Sequence, residues 1–134
     1  MNGTSWIEDG VTPHPSGGYV HVERTERSTI RYLNAQRELH RLDGPAVEGT
    51  NGDREWWVDG KLHRLDGPAA EGTNGDREWW VDGELHRFDG PAVEWGNGTP
   101  KWWLRGVEVT EAEHAEIVAR MADAGEAPEL KPER

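Results

Sequence analysis

Three stretches of this chain place a histidine, an arginine and an aspartate almost side by side. They are His40-Arg41-Leu42-Asp43, His63-Arg64-Leu65-Asp66 and His86-Arg87-Phe88-Asp89. An arginine fork can hold a carboxylate or a phosphate through paired hydrogen bonds, and a histidine can add a second donor. An indole can stack on a planar ligand, and indoles are close by in Trp56-Trp57, Trp79-Trp80 and Trp102-Trp103. The competing reading is structural. Asp opens an Asp-Gly-Pro turn by bonding its own backbone, and Arg pairs with that Asp or with one in the neighbouring copy. Triplication favours the structural reading, because turns recur in every copy of a repeat and catalytic groups seldom do.

Other chemistries lack their parts. A metal ladder of His40, His63 and His86 fails on distance. If each copy advances by two strands, neighbouring imidazoles stand roughly 10 Å apart, too far to share one ion. The chain has no cysteine, no Gly-x-Ser-x-Gly, and serine only at positions 5, 16 and 28. With 26 acidic residues, chance carboxylate pairs are inevitable and point to no active site. No catalytic residue, metal or cofactor is expected.

The elements that position these residues follow from a 23-residue period. Copies run over 39–61, 62–84 and, more loosely, 85–107. Such a period marks an array of small units, none of which can bury a core alone. In the first copy Pro45 to Thr50 reads as extended. Asn51-Gly52 reads as a two-residue type I′ hairpin turn, and Asp53 to Val58 as the return strand. Asp59-Gly60 makes a second turn before the short extended piece Lys61 to Arg64, and Leu65 to Pro68 turns into the next copy. The density of Gly and Pro leaves no helix-length window, so the array is β. Strand alternation assigns Trp56, Trp79 and Trp102 to the core face, each with an aliphatic residue two positions later. It assigns Trp57, Trp80 and Trp103 to a second, partly exposed aromatic ladder that suits a protein partner or a planar ligand.

The array has a beginning and an end. Residues 1–38 read as degenerate copies: Trp6-Ile7-Glu8-Asp9-Gly10 echoes Trp56-Trp57-Val58-Asp59-Gly60, and Tyr32-Leu33 stands where a Trp pair belongs. Tyr19 to Glu23 and Thr29 to Leu33 suit strands, with a Pro/Gly loop before them. At the other end Thr110-Glu111-Ala112-Glu113 is a capping box. It opens a helix over 110–125 with Gly125 as its stop and a narrow stripe of Ile117, Val118, Met121 and Ala122, with His114 at the upper edge. This helix is expected to cover the open edge of the last hairpin. Residues 126–134 read as a charged tail.

Composition sets bounds. The 134 residues fit one domain spanning 1–134, with 34% hydrophobic residues and eight tryptophans. The formal net charge of −11 argues against tracking a nucleic-acid polymer or lying on an anionic membrane. There is no long apolar run and no signal layout, so a soluble, cytoplasmic protein is expected, in the host cytoplasm if phage-encoded.

The marks His-Arg-x-Asp-Gly-Pro-Ala, Asn-Gly and Trp-Trp resemble a divergent branch of the MORN-type repeats. They lie at His40–Ala46 with Trp56-Trp57, His63–Ala69 with Trp79-Trp80, and His86–Ala92 with Trp102-Trp103. The chain is similar in this to uncharacterised phage and bacterial proteins whose last copy ends in Gly-x-Glu-Val-Thr-Glu, as Gly106 to Glu111 does. The Tyr-x-Gly start of the standard motif is missing, and membrane association is not carried over with the resemblance. The fold it implies is mainly β: an elongated antiparallel β-hairpin array, a MORN-like open solenoid or twisted sheet, with one C-terminal capping α-helix. The function it implies is non-catalytic: a protein–protein interaction or self-association module. The alternatives are a protein that sequesters a small anionic nucleotide, such as a phage anti-defence sponge, and a structural or assembly component. The candidate binding residues are Trp57, Trp80, Trp103, Arg41, Arg64, Arg87, His40, His63 and His86.

Overall fold

A computed structural model of the chain describes residues 7–8, 17–25 and 28–125. Among the described residues the regular structure is mostly short antiparallel strands, and one helix follows them. The strands are β1 (Ile7–Glu8), β2 (His21–Arg24), β3 (Ile30–Leu33), β4 (Val47–Glu48), β5 (Arg54–Glu55), β6 (Trp57–Val58), β7 (Lys61–Leu62), β8 (Ala70–Glu71), β9 (Arg77–Glu78), β10 (Trp80–Val81), β11 (Glu84–Leu85), β12 (Val93–Glu94), β13 (Pro100–Leu104) and β14 (Val107–Val109); the helix is α1 (Glu111–Asp123). A ten-stranded sheet runs β1-β2-β3-β4-β5-β8-β9-β12-β13-β14, and β6-β7 and β10-β11 form separate two-stranded ribbons. No barrel closes. The Trp6 echo, the loop at Pro13 and Pro15 and the tail 126–134 lie outside the described residues. No helix among the described residues is long and apolar enough to cross a membrane.

Each copy gives the sheet one hairpin: β4-β5, β8-β9 and β12-β13. The expected return strand Asp53 to Val58 is interrupted at Trp56. The Trp56 amide donates to Ala69 O of the next copy at 2.7 Å, while its carbonyl accepts from His63 N at 3.0 Å. The chain therefore leaves the sheet at this residue and enters the ribbon, where Trp57 pairs with Leu62. The last copy has no such break, and β13 runs from Pro100 through Trp102 to Leu104 and pairs directly with β14.

The turn chemistry is the reverse of the simplest reading. Asn51 does not take positive φ; Gly52 does, at 97°. Gly52 N donates to Gly49 O and Gly49 N to Asp53 O, which makes a three-residue loop closed by a glycine bulge rather than a type I′ turn. The side chain explains the choice, because Asn51 Oδ1 accepts from Asp53 N at 3.0 Å and holds the loop in this form. The type I′ turns are at Asp59-Gly60, Asp82-Gly83 and Arg105-Gly106, with φ of 49° and 78°, 50° and 81°, and 49° and 83°.

The core also differs from the expected one. Trp56, Trp79 and Trp102 are half-buried, as are Trp57, Trp80 and Trp103. The most enclosed residues are Ala46, Ala69 and Ala92, all with no exposed surface, joined by Val22, Leu33, Val58 and Val93. Ala fits there because adjacent strands approach closely: Ala46 N donates to Glu55 O, and Ala46 O accepts from Tyr32 N. The indoles, too large for that layer, lie over the sheet and the ribbons instead.

The N-terminal unit follows the same wiring. β2 and β3 form a hairpin, and Tyr32 N bonds Ala46 O as Trp56 N bonds Ala69 O and Trp79 N bonds Ala92 O. Glu23, 4% exposed, is held by Arg31 and Arg37, so its buried charge is paired on both oxygens. The helix α1 carries the expected capping box: Glu113 N donates to Thr110 Oγ1 at 3.0 Å, and Thr110 N to Glu113 Oε1 at 2.9 Å. It packs on β13.

Candidate functional site

Each arginine of the three motifs lies across an aromatic ring of the preceding unit. The guanidinium carbon is 4.0 Å from the Tyr32 ring centre for Arg41, 3.8 Å from Trp56 for Arg64, and 3.8 Å from Trp79 for Arg87. Its Nε and Nη1 donate within its own copy, to the turn and the strand that follows it. Arg64 Nε donates to Asp66 Oδ1 at 2.9 Å, and Nη1 to Pro68 O at 3.0 Å and Glu71 Oε2 at 3.5 Å. Arg41 does the same with Asp43, Pro45 O and Glu48, and Arg87 with Asp89, Pro91 O and Glu94. The Asp-Gly-Pro glycine makes room for this arm: a Cβ at Gly67 would sit 2.9 Å from Arg64 Cζ. The aspartate thus serves the turn as acceptor for the arginine.

The histidines also point into the frame. His40 Nδ1 accepts from Asp59 N at 2.9 Å, His63 Nδ1 from Asp82 N at 3.0 Å, and His86 Nδ1 from Arg105 N at 2.8 Å. The donor is each time the first left-handed residue of the turn later in the same copy, so the imidazole holds a conformation that a non-glycine residue seldom adopts. Accepting at Nδ1 leaves the neutral ring's proton on Nε2. At His86 this Nε2 is buried with no hydrogen-bond partner. Burial, and then the Arg105 and His114 charges, hold the His86 imidazole below its ordinary pKa.

Between successive turns the surface opens into clefts. One, of about 560 Å³, is lined by Arg41, Leu42, Asp43, Trp56, His63 and Leu65, among others. The next, of about 570 Å³, is lined by Arg64, Leu65, Asp66, Trp79, His86 and Phe88, among others. The structure therefore brings the three arginines, His63 and His86 together with Trp56 and Trp79, while His40 lines neither cleft. The second tryptophans do not line the clefts. Trp57 and Trp80 sit in the ribbons and donate through Nε1 to Glu55 and Glu78 at 2.8 Å, two residues back on the same strand face. Trp103 pairs with Glu108 across β13 and β14.

The cleft rim holds residues that motif reasoning passed over. Leu42 is 50% exposed and Leu65 39%, and Phe88 at the same position is half-buried with its edge on the His86 ring. The signal was in the motif. Its variable position is apolar in all three copies, between two charged residues in a turn where nothing local asks for an apolar side chain. Comparison of the chain with protein-family profiles, with curated proteins and with solved structures returns no match.

Proposed function

We propose that this chain is a non-catalytic repeat protein of the MORN-like open-solenoid kind, whose turn-lined face binds another protein or a second copy of itself. The observation that carries the reading is the row Leu42, Leu65 and Phe88, apolar at the same place in three copies and set at the mouths of two clefts. A single exposed apolar residue is ordinary; the support lies in its recurrence at the same place in every copy. Sequestering of a small anionic nucleotide has less support. Nε and Nη1 of each arginine already bond carboxylates and a carbonyl, and Asp43, Asp66, Glu48 and Glu71 add negative charge beside them.

The test uses a photo-crosslinking amino acid at position 65, with position 74 at a hairpin tip as control, in the native host. Sedimentation of the wild type and of Leu65→Ser is run alongside. A discrete adduct from position 65, absent from position 74, supports the reading, as does an oligomer that Leu65→Ser disperses. A monomer at every concentration that yields no adduct above the control defeats it.

A further inference from the structure

Resting on that reading, we infer that the occupant of the turn-lined face is a basic amphipathic α-helix of a partner protein, with apolar residues at seven-residue spacing. The inference comes from pitch and charge. Each copy adds two strands to the sheet, so equivalent residues repeat about every 10 Å along the array. A helix advances about 10.5 Å in seven residues, so side chains at i, i+7 and i+14 on one face meet Leu42, Leu65 and Phe88 in register. An extended chain does not match. It covers about 10 Å in three residues, and residues three apart point to opposite faces.

The two clefts share Leu65, so one continuous ligand passes over both. The right-handed twist of the sheet rotates successive clefts and confines a straight helix to about two or three copies.

Charge selects the sign of the partner. The side chains of Asp66 and Asp89 are each 87% exposed, and Asp43 is 35% exposed. The arginines next to them are drawn inward, with side chains only 17–22% exposed. A partner approaching the apolar row therefore meets carboxylates on its flank, within a chain of net charge −11. Lysine or arginine beside each apolar anchor complements that flank, and an acidic helix is repelled.

The test is titration of the intact protein with two synthetic peptides of about 21 residues, built mainly of Ala, Lys and Leu and matched in composition and helicity. One places Leu every seventh residue and the other every fifth. The emission of Trp56 and Trp79, which line the clefts, and calorimetry at near-physiological salt report binding. The heptad peptide is expected to bind one to one, at least about tenfold tighter than its isomer, and to weaken at least about tenfold with Leu65→Ser. Circular dichroism checks that this surface variant keeps its fold. Equal binding of both peptides, indifferent to Leu65→Ser, means charge alone and overturns the inference. Failure of both peptides while position 65 still crosslinks to a protein overturns the helix and leaves the binding function standing. Loss of the crosslink as well removes both, and a Leu65-dependent homodimer shows the occupant to be a second copy instead.

Discussion

The His114 ring lies 4.8 Å from the Trp102 ring, in the place that Arg64 takes over Trp56 and Arg87 over Trp79. The position eight residues after Trp102, where the arginine of a further copy belongs, is Thr110, the N-cap of α1. The array thus stops by exchanging a His-Arg turn for a helix, and the helix returns a cation-capable ring to the last indole. His114 Nε2 also lies 2.7 Å from Arg87 O, which ties the helix to the preceding turn.

His114→Ala is expected to destabilise the protein by about 1–2 kcal/mol, from the lost ring contact and hydrogen bond. The loss should be local. Hydrogen exchange should speed in 111–123 and around Trp102 before it speeds at Ala46 or Ala69. Uniform exchange across the chain would show that the helix does not dock through this residue.

Arg64 is a clamp on its own turn. Arg64→Ala is expected to cost about 1–2 kcal/mol, because it uncovers Trp56, leaves Pro68 O and Asp66 without this donor, and leaves Glu71 to Arg54. Arg64→Lys should recover little, since an ammonium has neither the planar fork nor the flat face. Gly67→Ala should behave like Arg64→Ala, because the added methyl meets the guanidinium. Thermal unfolding of the three variants checks this. An Arg64→Ala melting curve equal to wild type would mean that the arginine is held in reserve for a ligand.

Much of this architecture was legible in the sequence, for local reasons. Asp59-Gly60 and the Thr110 to Glu113 capping box each carry their own side-chain chemistry, and both are in place. Period-two alternation puts Glu55 and Trp57 on one strand face, and the two share a hydrogen bond. What could not be read depends on neighbours one copy away. Alternation cannot say that the strand breaks at Trp56, because the cause is Ala69 O and His63 N. Nor can it say which tryptophan faces open space. The clefts form between turns 23 residues apart, so Trp56, Leu42 and Leu65 meet only once the copies stack. The Asn51-Gly52 turn was misread for another reason: a dipeptide that suits a type I′ turn also suits a glycine bulge, and the Asn51 side chain decides between them.

Asp82 occupies φ of 50° with its amide on His63 Nδ1. Asp82→Gly and Asp82→Asn should be tolerated, since both residues enter the left-handed region readily. Asp82→Val should cost about 1–2 kcal/mol or more, because a β-branched side chain is strained there. Chemical denaturation of the three variants tests the ranking. Asp82→Val as stable as Asp82→Asn would mean that the turn has another conformation in solution.

The last copy differs from the others where Arg105 replaces the aspartates of positions 59 and 82, and this gives the protein a predicted sensitivity to acid. His40 Nδ1 lies 3.2 Å from Asp59 Oδ1 and His63 Nδ1 3.4 Å from Asp82 Oδ1. His86 meets Arg105 instead, with His114 beyond it. Burial first, and then these two charges, depress its pKa in the folded state from the ordinary 6.5. The unfolded chain then binds this proton more readily than the folded one. Above about pH 6.5 both states are neutral at His86, and the group exerts no pull on stability. As the pH falls from there towards the depressed folded value, the unfolded state gains the proton first, and stability declines. Arg105→Asp exchanges the repelling cation for a carboxylate at the place it has in the other copies. It should raise the His86 pKa and flatten the decline below about pH 6.5. Following the His86 Cε1 proton by NMR in wild type and variant measures the shift directly. An unchanged titration midpoint would show that Arg105 does not set the charge state of this ring.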